Sequence, residues 1–448
     1  MGVDATNLLG RIETGLHQGF CLEWQESDVP HLWPGQALWA KARRMASHFR
    51  RLRLPSRARI AVQIPNSPLY VATLLASWMG NWVFCPLPSL DPLESQRRLA
   101  LLRPSLFLCW TGEQLQQRVF AENFSVAEDD PDDLALVLWT SASSGSSRAF
   151  GLGFGALTWQ VDTHLPALDL DADSLLRNTL PWAHVFAGVL ELLPALLAGA
   201  SLRVAPLTSF AREQFSHCCT VPRVAALLGP GQIQNLRAGI IGGAPMDTAL
   251  AERLRGSRLR MGYGQSEAGP GLCLGDPGDF RAGLLGRGLV PMVQKEGTLH
   301  YRSPGQSIGQ WLGDHWQALC SSGESFDSGD LVQQGPDGNW FWIGRRDARF
   351  KLGNGRTLDP EWEELQLLAS HGAFSHLVLA GPGARLPVVF GRLQEDARSG
   401  DAKIWQGTYP LRLAPESFWQ RYLQEGSGKL KRALLYRHWQ KEWEVLQG

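Results

Sequence analysis

Cysteine is scarce in this chain: there are seven in 448 residues, an odd number, with no CxxC pair and no Cys/His spacing of the metal-binding kind. That usage supports neither a disulfide framework nor a structural zinc site, and a reducing, cytoplasmic setting is expected. Net charge is lacking too, because 43 Lys and Arg face 43 Asp and Glu. General nucleic-acid binding needs a basic surface, so no nucleic-acid partner is expected, although a local pocket can still hold one anionic ligand. Long apolar runs are absent. The longest, Leu74 to Leu87 and Ala187 to Ala200, are broken by Asn81 and Glu191 and fall short of the ~20 residues of a membrane span. Both read as core elements, with no membrane span expected. The opening MGVDATNLLGRIE has neither the basic start nor the apolar centre of a secretory signal. No Walker-type phosphate loop and no GxSxG nucleophile elbow occurs.

What is present is a globular composition, 44% hydrophobic and 19% charged. The length exceeds the ~250–300 residues at which a single core stops growing, so two or more domains are expected. Residues 36–56 read as an amphipathic helix with a solvated Arg/Lys face, 58–67 as a short buried strand, 68–80 as helix and 82–87 as strand. Segments 134–140, 201–207 and 238–245 are further strands running into loops. This alternation predicts βαβ units and a mainly parallel sheet. From about residue 295 the pattern changes to alternating apolar residues with turns at Pro336-Asp337-Gly338 and Asn354-Gly355, which predicts antiparallel hairpins. After Asp347 a small α+β unit is expected. The predicted fold is therefore α/β: a large N-terminal domain of βα units, residues 1–346, with mainly parallel sheets and a β-rich subregion. A small α+β C-terminal domain on a hinge, residues 347–448, follows it.

Five segments carry chemical signals. The strand 134–140 runs into Thr140-Ser141-Ala142-Ser143-Ser144-Gly145-Ser146-Ser147-Arg148, whose hydroxyls, backbone N–H groups and cation suit a polyphosphate; taken alone, a Ser-rich surface loop explains it equally well. IIGGAPM (240–246) puts two glycines directly after a strand, where a flat ligand could approach or the chain could simply turn. MGYGQSEAGPG (261–271) offers Tyr263 for stacking on a base and Glu267 for a divalent metal. Asp330 could accept both hydrogen bonds of a vicinal diol and Arg345 lies nearby in sequence; a turn-capping Asp and a surface Arg are the plainer alternative. Lys429 stands on a Gly-flanked stretch, EGSGKLKR, that could carry it into a site.

Taken in order, these segments resemble the adenylate-forming superfamily of acyl- and aryl-CoA synthetases, peptide-synthetase adenylation domains and luciferases. The loop 140–148 resembles that family's TSGTTGxPK signature, PWAHVFAG (181–188) its PLFHxxG, and GGAPM and GYGQSEAGP its adenine loop and YGQTE motif. GLLGRGLVP (283–291), EGTLHYRSPG (296–305), SGDL (328–331), GRRDARFK (344–351) and GSGKLKR (426–432) follow in family order.

The resemblance implies ATP-dependent activation of a small-molecule carboxylate, aryl or fatty, to an acyl-adenylate, then transfer to the thiol of CoA or of an acyl carrier protein's phosphopantetheine. It also implies roles. Thr140, Ser141, Ser143, Ser144, Gly145 and Arg148 would hold the phosphates. Gly243, Ala244 and Pro245 would line adenine with Tyr263 stacked on it. Ser266 and Glu267 would serve phosphate and Mg²⁺, and Asp330 and Arg345 the ribose. His184 would border the acyl pocket, Asp347 would be the hinge, and Lys429 would contact the carboxylate and α-phosphate. Ala142, Ser147 and Arg148 depart from the family's Gly, Pro and Lys, so a non-catalytic nucleotide- or partner-binding relative is the alternative expectation. Arg keeps the charge but carries a forked, bulkier head.

Overall fold

The computed structural model describes residues 3–25, 29–88, 92–111, 114–124, 130–140, 148–246, 248–321, 323–371, 373–394, 409–423 and 430–445. Helix and strand alternate from residue 35: helix Gly35–Arg51, strand Arg59–Gln63, helix Pro68–Met79, strand Val83–Pro86. The first helix buries Leu38, Ala42, Ala46 and Phe49 and leaves Arg43, Arg44 and Arg50 in solvent, the spacing an amphipathic helix requires. The second starts on Ser67, whose hydroxyl accepts from the Tyr70 N–H, and has Pro68 in its first turn. A proline there loses no helical hydrogen bond.

Two large sheets result. In the eight-stranded sheet Arg59–Gln63 lies between Val83–Pro86 and Leu106–Thr111, parallel to both, as helical crossovers allow. Leu134–Thr140 pairs antiparallel with Arg148–Gly153, with Thr140 opposite Arg148. The thirteen-stranded sheet has a parallel centre that runs through His217–Thr220, Ala238–Ile241 and Leu259–Gln265. It then continues antiparallel through Gly269–Leu274, Leu284–Gly288, Trp340–Arg345 and Phe326–Gln334. The sheets are thus parallel in their interiors and antiparallel towards their edges. The β-rich subregion is the antiparallel wing of the larger one rather than a separate layer.

The C-terminal part is α+β, as expected. Strands Phe374–Ala380, Val388–Leu393 and Leu411–Leu413 form a sheet packed by helices Pro360–Ser370, Glu416–Tyr422 and Arg432–Val445. It has its own core around Phe390, Phe418, Trp419 and Tyr422. Arg432 joins two of the helices by pairing with Glu361 and with buried Glu364.

One buried cluster ties the centre of the eight-stranded sheet to its edge strands. The Arg59 side chain is 1% exposed and that of Asp130 0%. The two form a bidentate pair, with Arg59 Nη1 also donating to the Leu102 carbonyl. The guanidinium lies 3.7 Å from the centre of the Trp311 ring, and Trp316 Nε1 donates to Asp130 at 2.8 Å. Arg59→Met would leave a buried carboxylate without its cation, which costs about 3–5 kcal/mol. Urea unfolding should show that loss, and Arg59→Met combined with Asp130→Leu should recover most of it. A single variant as stable as the parent would contradict the assignment.

Candidate active site

The site begins with bare backbone. In open α/β sheets ligand crevices form at the carboxyl ends of parallel strands, and here two neighbouring strands end in glycine. A Cβ on Gly242 would lie 2.6 Å from the Gly262 carbonyl oxygen, one on Gly262 would meet Ile240 at 2.5 Å, and one on Gly264 would lie 2.0 Å from the Pro270 carbonyl oxygen. No side chain fits at any of the three, so the strand ends present a flat peptide floor. Gly243 leaves it at φ +80°, and Gly243, Ala244 and Pro245 are exposed beside it.

At one edge of this floor stands a buried carboxylate. Asp330 is 4% exposed, and the hairpin register places it directly opposite Arg345. Its Oδ2 accepts from the Tyr263 hydroxyl at 2.5 Å and from the Gln265 amide. Its Oδ1 accepts from Arg345 Nη1 at 3.2 Å and from the Trp342 indole at 3.3 Å. Burial works against the Arg345 charge, but Asp330 and Asp347 outweigh it and raise its pKa above the ordinary value. Burial and the adjacent Asp330 charge push the Tyr263 hydroxyl far above its usual range, so it stays a donor.

At the other edge, Arg148 Nη2 donates to Glu267 Oε1 at 3.0 Å. This pair joins the end of the Ser-rich segment to the turn that follows Tyr263 and Gln265. Thr140, opposite Arg148, has a buried hydroxyl without a hydrogen-bond partner among the described residues. The turn itself is clamped from behind. Fully buried Gln160 donates to the carbonyls of Ala268, Gly271 and Gly305 and accepts from the Gly271 N–H. The Ser307 N–H donates to the Glu267 carbonyl.

The opposing wall is the segment 178–188. His184 is exposed on it. Phe186 packs against the cluster of Leu168, Cys219 and Ile240, the last two on parallel strands of the larger sheet.

The expected residues therefore gather from separate parts of the chain: Thr140 and Arg148 flank the loop, Glu267 binds Arg148, Tyr263 and Arg345 bind Asp330, and Ser266 lies on the same half-buried turn. Ser141, Ser143, Ser144, Gly145 and Lys429 lie outside the described residues. Gln160, Gln265 and Trp342 were not expected. Gln265 was visible inside the GYGQSE motif; Trp342 read in the sequence only as a position in a hairpin, and Gln160 carried no signal.

A flat floor with a charged pair on one side and a diol-sized carboxylate acceptor on the other defines a nucleotide-binding α/β enzyme site. The AMP-binding enzyme family model matches residues 33–311, well over half of the chain, and the chain belongs to that family. Among curated relatives it is 26% identical to a feruloyl-CoA synthase from Amycolatopsis over 76% of this chain and 79% of that protein. It is 24% identical to an L-proline–[L-prolyl-carrier protein] ligase from Pseudomonas fluorescens over 72% and 76% of the two chains. The fold is similar to that of o-succinylbenzoate CoA synthetase from Bacillus subtilis solved with its acyl-adenylate, at TM-score 0.77, 16% identity and coverage of 96% and 97%. These relatives do not favour the non-catalytic alternative.

Asp330→Ala would strip the acceptor from four donors at once. Unfolding free energy should fall by about 2–3 kcal/mol, and AMP affinity by calorimetry should weaken about tenfold or more, equivalent to 1.4 kcal/mol. Unchanged affinity would show that the cluster serves folding alone.

Proposed function

We propose that this chain is an ATP-dependent acid–thiol ligase that activates an aryl or fatty carboxylate as its acyl-adenylate and then passes the acyl group to a thiol. The reading is carried by the meeting of the Arg148–Glu267 pair and the Asp330–Tyr263–Gln265–Arg345 cluster across the glycine floor. Adenine would lie on the floor along Gly243, Ala244 and Pro245 with Tyr263 against it. The ribose hydroxyls would donate to Asp330 beside Arg345. The phosphates would lie towards Thr140, Ser141, Ser143, Ser144, Gly145, Ser266 and Arg148.

A free carboxylate is a poor acyl donor because its leaving group would be oxide. In the proposed first step a carboxylate oxygen forms a bond to the α-phosphorus, the bond to the bridging oxygen breaks, and pyrophosphate leaves. The transition state gathers negative charge at phosphorus, where Arg148 and Lys429 would oppose it. Glu267 fits a Mg²⁺ that completes its shell with phosphate oxygens and water: it offers one hard carboxylate, and the unpartnered Thr140 hydroxyl is a second hard oxygen. Bound there, the ion would neutralise phosphate charge. In the second step thiolate sulfur attacks the acyl carbon and AMP leaves with the former carboxylate oxygen. The acceptor is CoA or the phosphopantetheine of a carrier protein, consistent with the names of the two relatives. Residues 347–448 would act as the mobile domain, turning at Asp347 to withdraw Lys429 and admit the thiol. A cytoplasmic setting matches the free state of all seven cysteines. No helix of the described residues is long and apolar enough to cross a membrane.

Carboxylate-dependent ATP–pyrophosphate exchange over a panel of aryl and fatty acids should give a signal with at least one acid; silence across the panel would remove the proposal. Lys429→Ala should abolish exchange while leaving thiolysis of supplied acyl-adenylate largely intact, and equal loss of both half-reactions would contradict its role. Thioester formation with CoA against holo carrier protein identifies the acceptor.

A further inference from the structure

The apolar run 187–200 holds one acid, Glu191, and the structure buries it completely. It sits in a single π-helical turn, Gly188–Leu192, between the short helix Val185–Ala187 and the helix Leu193–Ala198. Such turns are rare and concentrate at functional sites. The turn aims the carboxyl back at the segment that precedes it. Glu191 Oε1 accepts from the Asn178 amide and from the Trp182 indole, the latter at 3.1 Å. Asn178 Nδ2 also donates to the Leu180 carbonyl at 2.8 Å. Asn66, at the start of another helix, donates to Asn178 Oδ1 and accepts from the Trp182 N–H. Gly188 closes the loop: a Cβ there would lie 2.6 Å from the Trp182 carbonyl oxygen. Glu191 Oε2 has no partner among the described residues.

The segment so held, 178–188, is the wall that carries His184 and Phe186, the latter packed against the cluster that holds Cys219 and Ile240 of the parallel strands. Nothing in the network touches Asp330, Glu267 or Arg148. We propose that Glu191 is a positioning residue that, through Asn178 and Trp182, fixes the wall on the carboxylate side of the site and leaves the nucleotide side unaffected. This rests on the ligase reading given above.

Burial raises the Glu191 carboxyl to about 8, against weaker opposing effects of Asn178, Trp182 and Arg177. At neutral pH it is therefore a neutral acid. The charged and titratable groups around it do not share that range. The Arg177 charge is matched by Glu213. Burial raises the thiols of Cys218, Cys219 and Cys273 and lowers His164, and Asp162 pairs with Arg11. His184 lies on the exposed side of the wall. Ionisation of Glu191 would put an unmatched negative charge behind the wall that an anionic substrate must approach. The sign for stability follows from the raised value. The folded state keeps a proton that the unfolded chain releases near 4.5, so the stability Glu191 contributes falls from that pH up to about 8 and is level above it.

The test compares wild type, Glu191→Gln and Asn178→Ala by ATP–pyrophosphate exchange with the fastest acid of the panel. For wild type, kcat/KM for the acid should fall about tenfold between pH 7 and 9, because a group titrating near 8 passes from about nine-tenths to one-tenth protonated. Glu191→Gln, which keeps an acceptor for Asn178 and Trp182, should match wild type within about twofold at pH 7 and lack the Glu191 part of the alkaline fall. Asn178→Ala should lower kcat/KM for the acid about tenfold with KM for ATP nearly unchanged. Urea midpoints should drop from pH 6 to 9 more in wild type than in Glu191→Gln, a readout that needs no turnover and stands if Asn178→Ala fails to fold. Coincident alkaline limbs, equal midpoint shifts, or equal effects on acid and ATP would each overturn the inference while leaving the ligase reading intact. No exchange by wild type with any acid would overturn that reading and the inference with it.

Discussion

A carboxylate removed from water must be matched by donors, and Asp330 has them from two strands: Tyr263 and Gln265 on one, Trp342 and Arg345 on the facing hairpin strand. Its position in the site depends on this matching. Because the donors come from segments about eighty residues apart in sequence, the cluster also fixes how the antiparallel wing meets the parallel centre of the sheet. One arrangement thereby sets both fold and site: an acceptor held at 4% exposure beside a peptide floor that glycine keeps bare. A nucleoside needs both of these, a flat surface for its base and a fixed acceptor for its sugar.

The opposite edge is built from exchangeable charge. Arg148 is exposed and Glu267 is partly so, and a pair in contact with solvent contributes little to stability. What it contributes is a matched resting state. In the proposed reading, incoming polyphosphate would take the guanidinium and free the carboxylate for a cation, with no charge left bare at either stage. The forked arginine head, where relatives carry lysine, is compatible with this exchange because it presents several donors in a plane. The departures in this loop thus leave the cationic function in place.

Much of this was legible in the residues. The strand expected over 134–140 has those bounds, and the hairpin turn at Pro336–Gly338 is where it was expected. Counting outward from that turn would have set Asp330 opposite Gly344; a bulge between Leu331 and Val332 moves it one residue on, opposite Arg345. The helix expected over 36–56 ends at Arg51, since Arg53 takes a positive φ and Pro55 follows. The helix Val3–Gln18 escaped notice although Leu8, Leu9, Ile12 and Leu16 carry its buried stripe. Other features were not legible for a physical reason. The contacts of Gln160 with the 268–271 turn join positions more than a hundred apart, and no local pattern marks them. Glu191 interrupted an apolar run that read as a core element, and the sequence did not say which way its side chain points. Only the π turn reveals that the carboxyl points inward.

The two edges of the site therefore obey different physics. The side proposed for the nucleotide is built from full charges, the buried Asp330–Arg345 pair and the exposed Arg148–Glu267 pair. The acid side is an apolar wall tied by a neutral hydrogen-bond network. A charged tie there would repel the very carboxylate that has to reach the α-phosphorus, and in a low-dielectric interior that repulsion is poorly screened. A neutral tie avoids it. It also lets the wall's outward residues vary without disturbing the nucleotide contacts. Such separation is consistent with one family including a feruloyl-CoA synthase and an L-prolyl-carrier protein ligase, whose named acids differ in size and charge while the adenylate remains common.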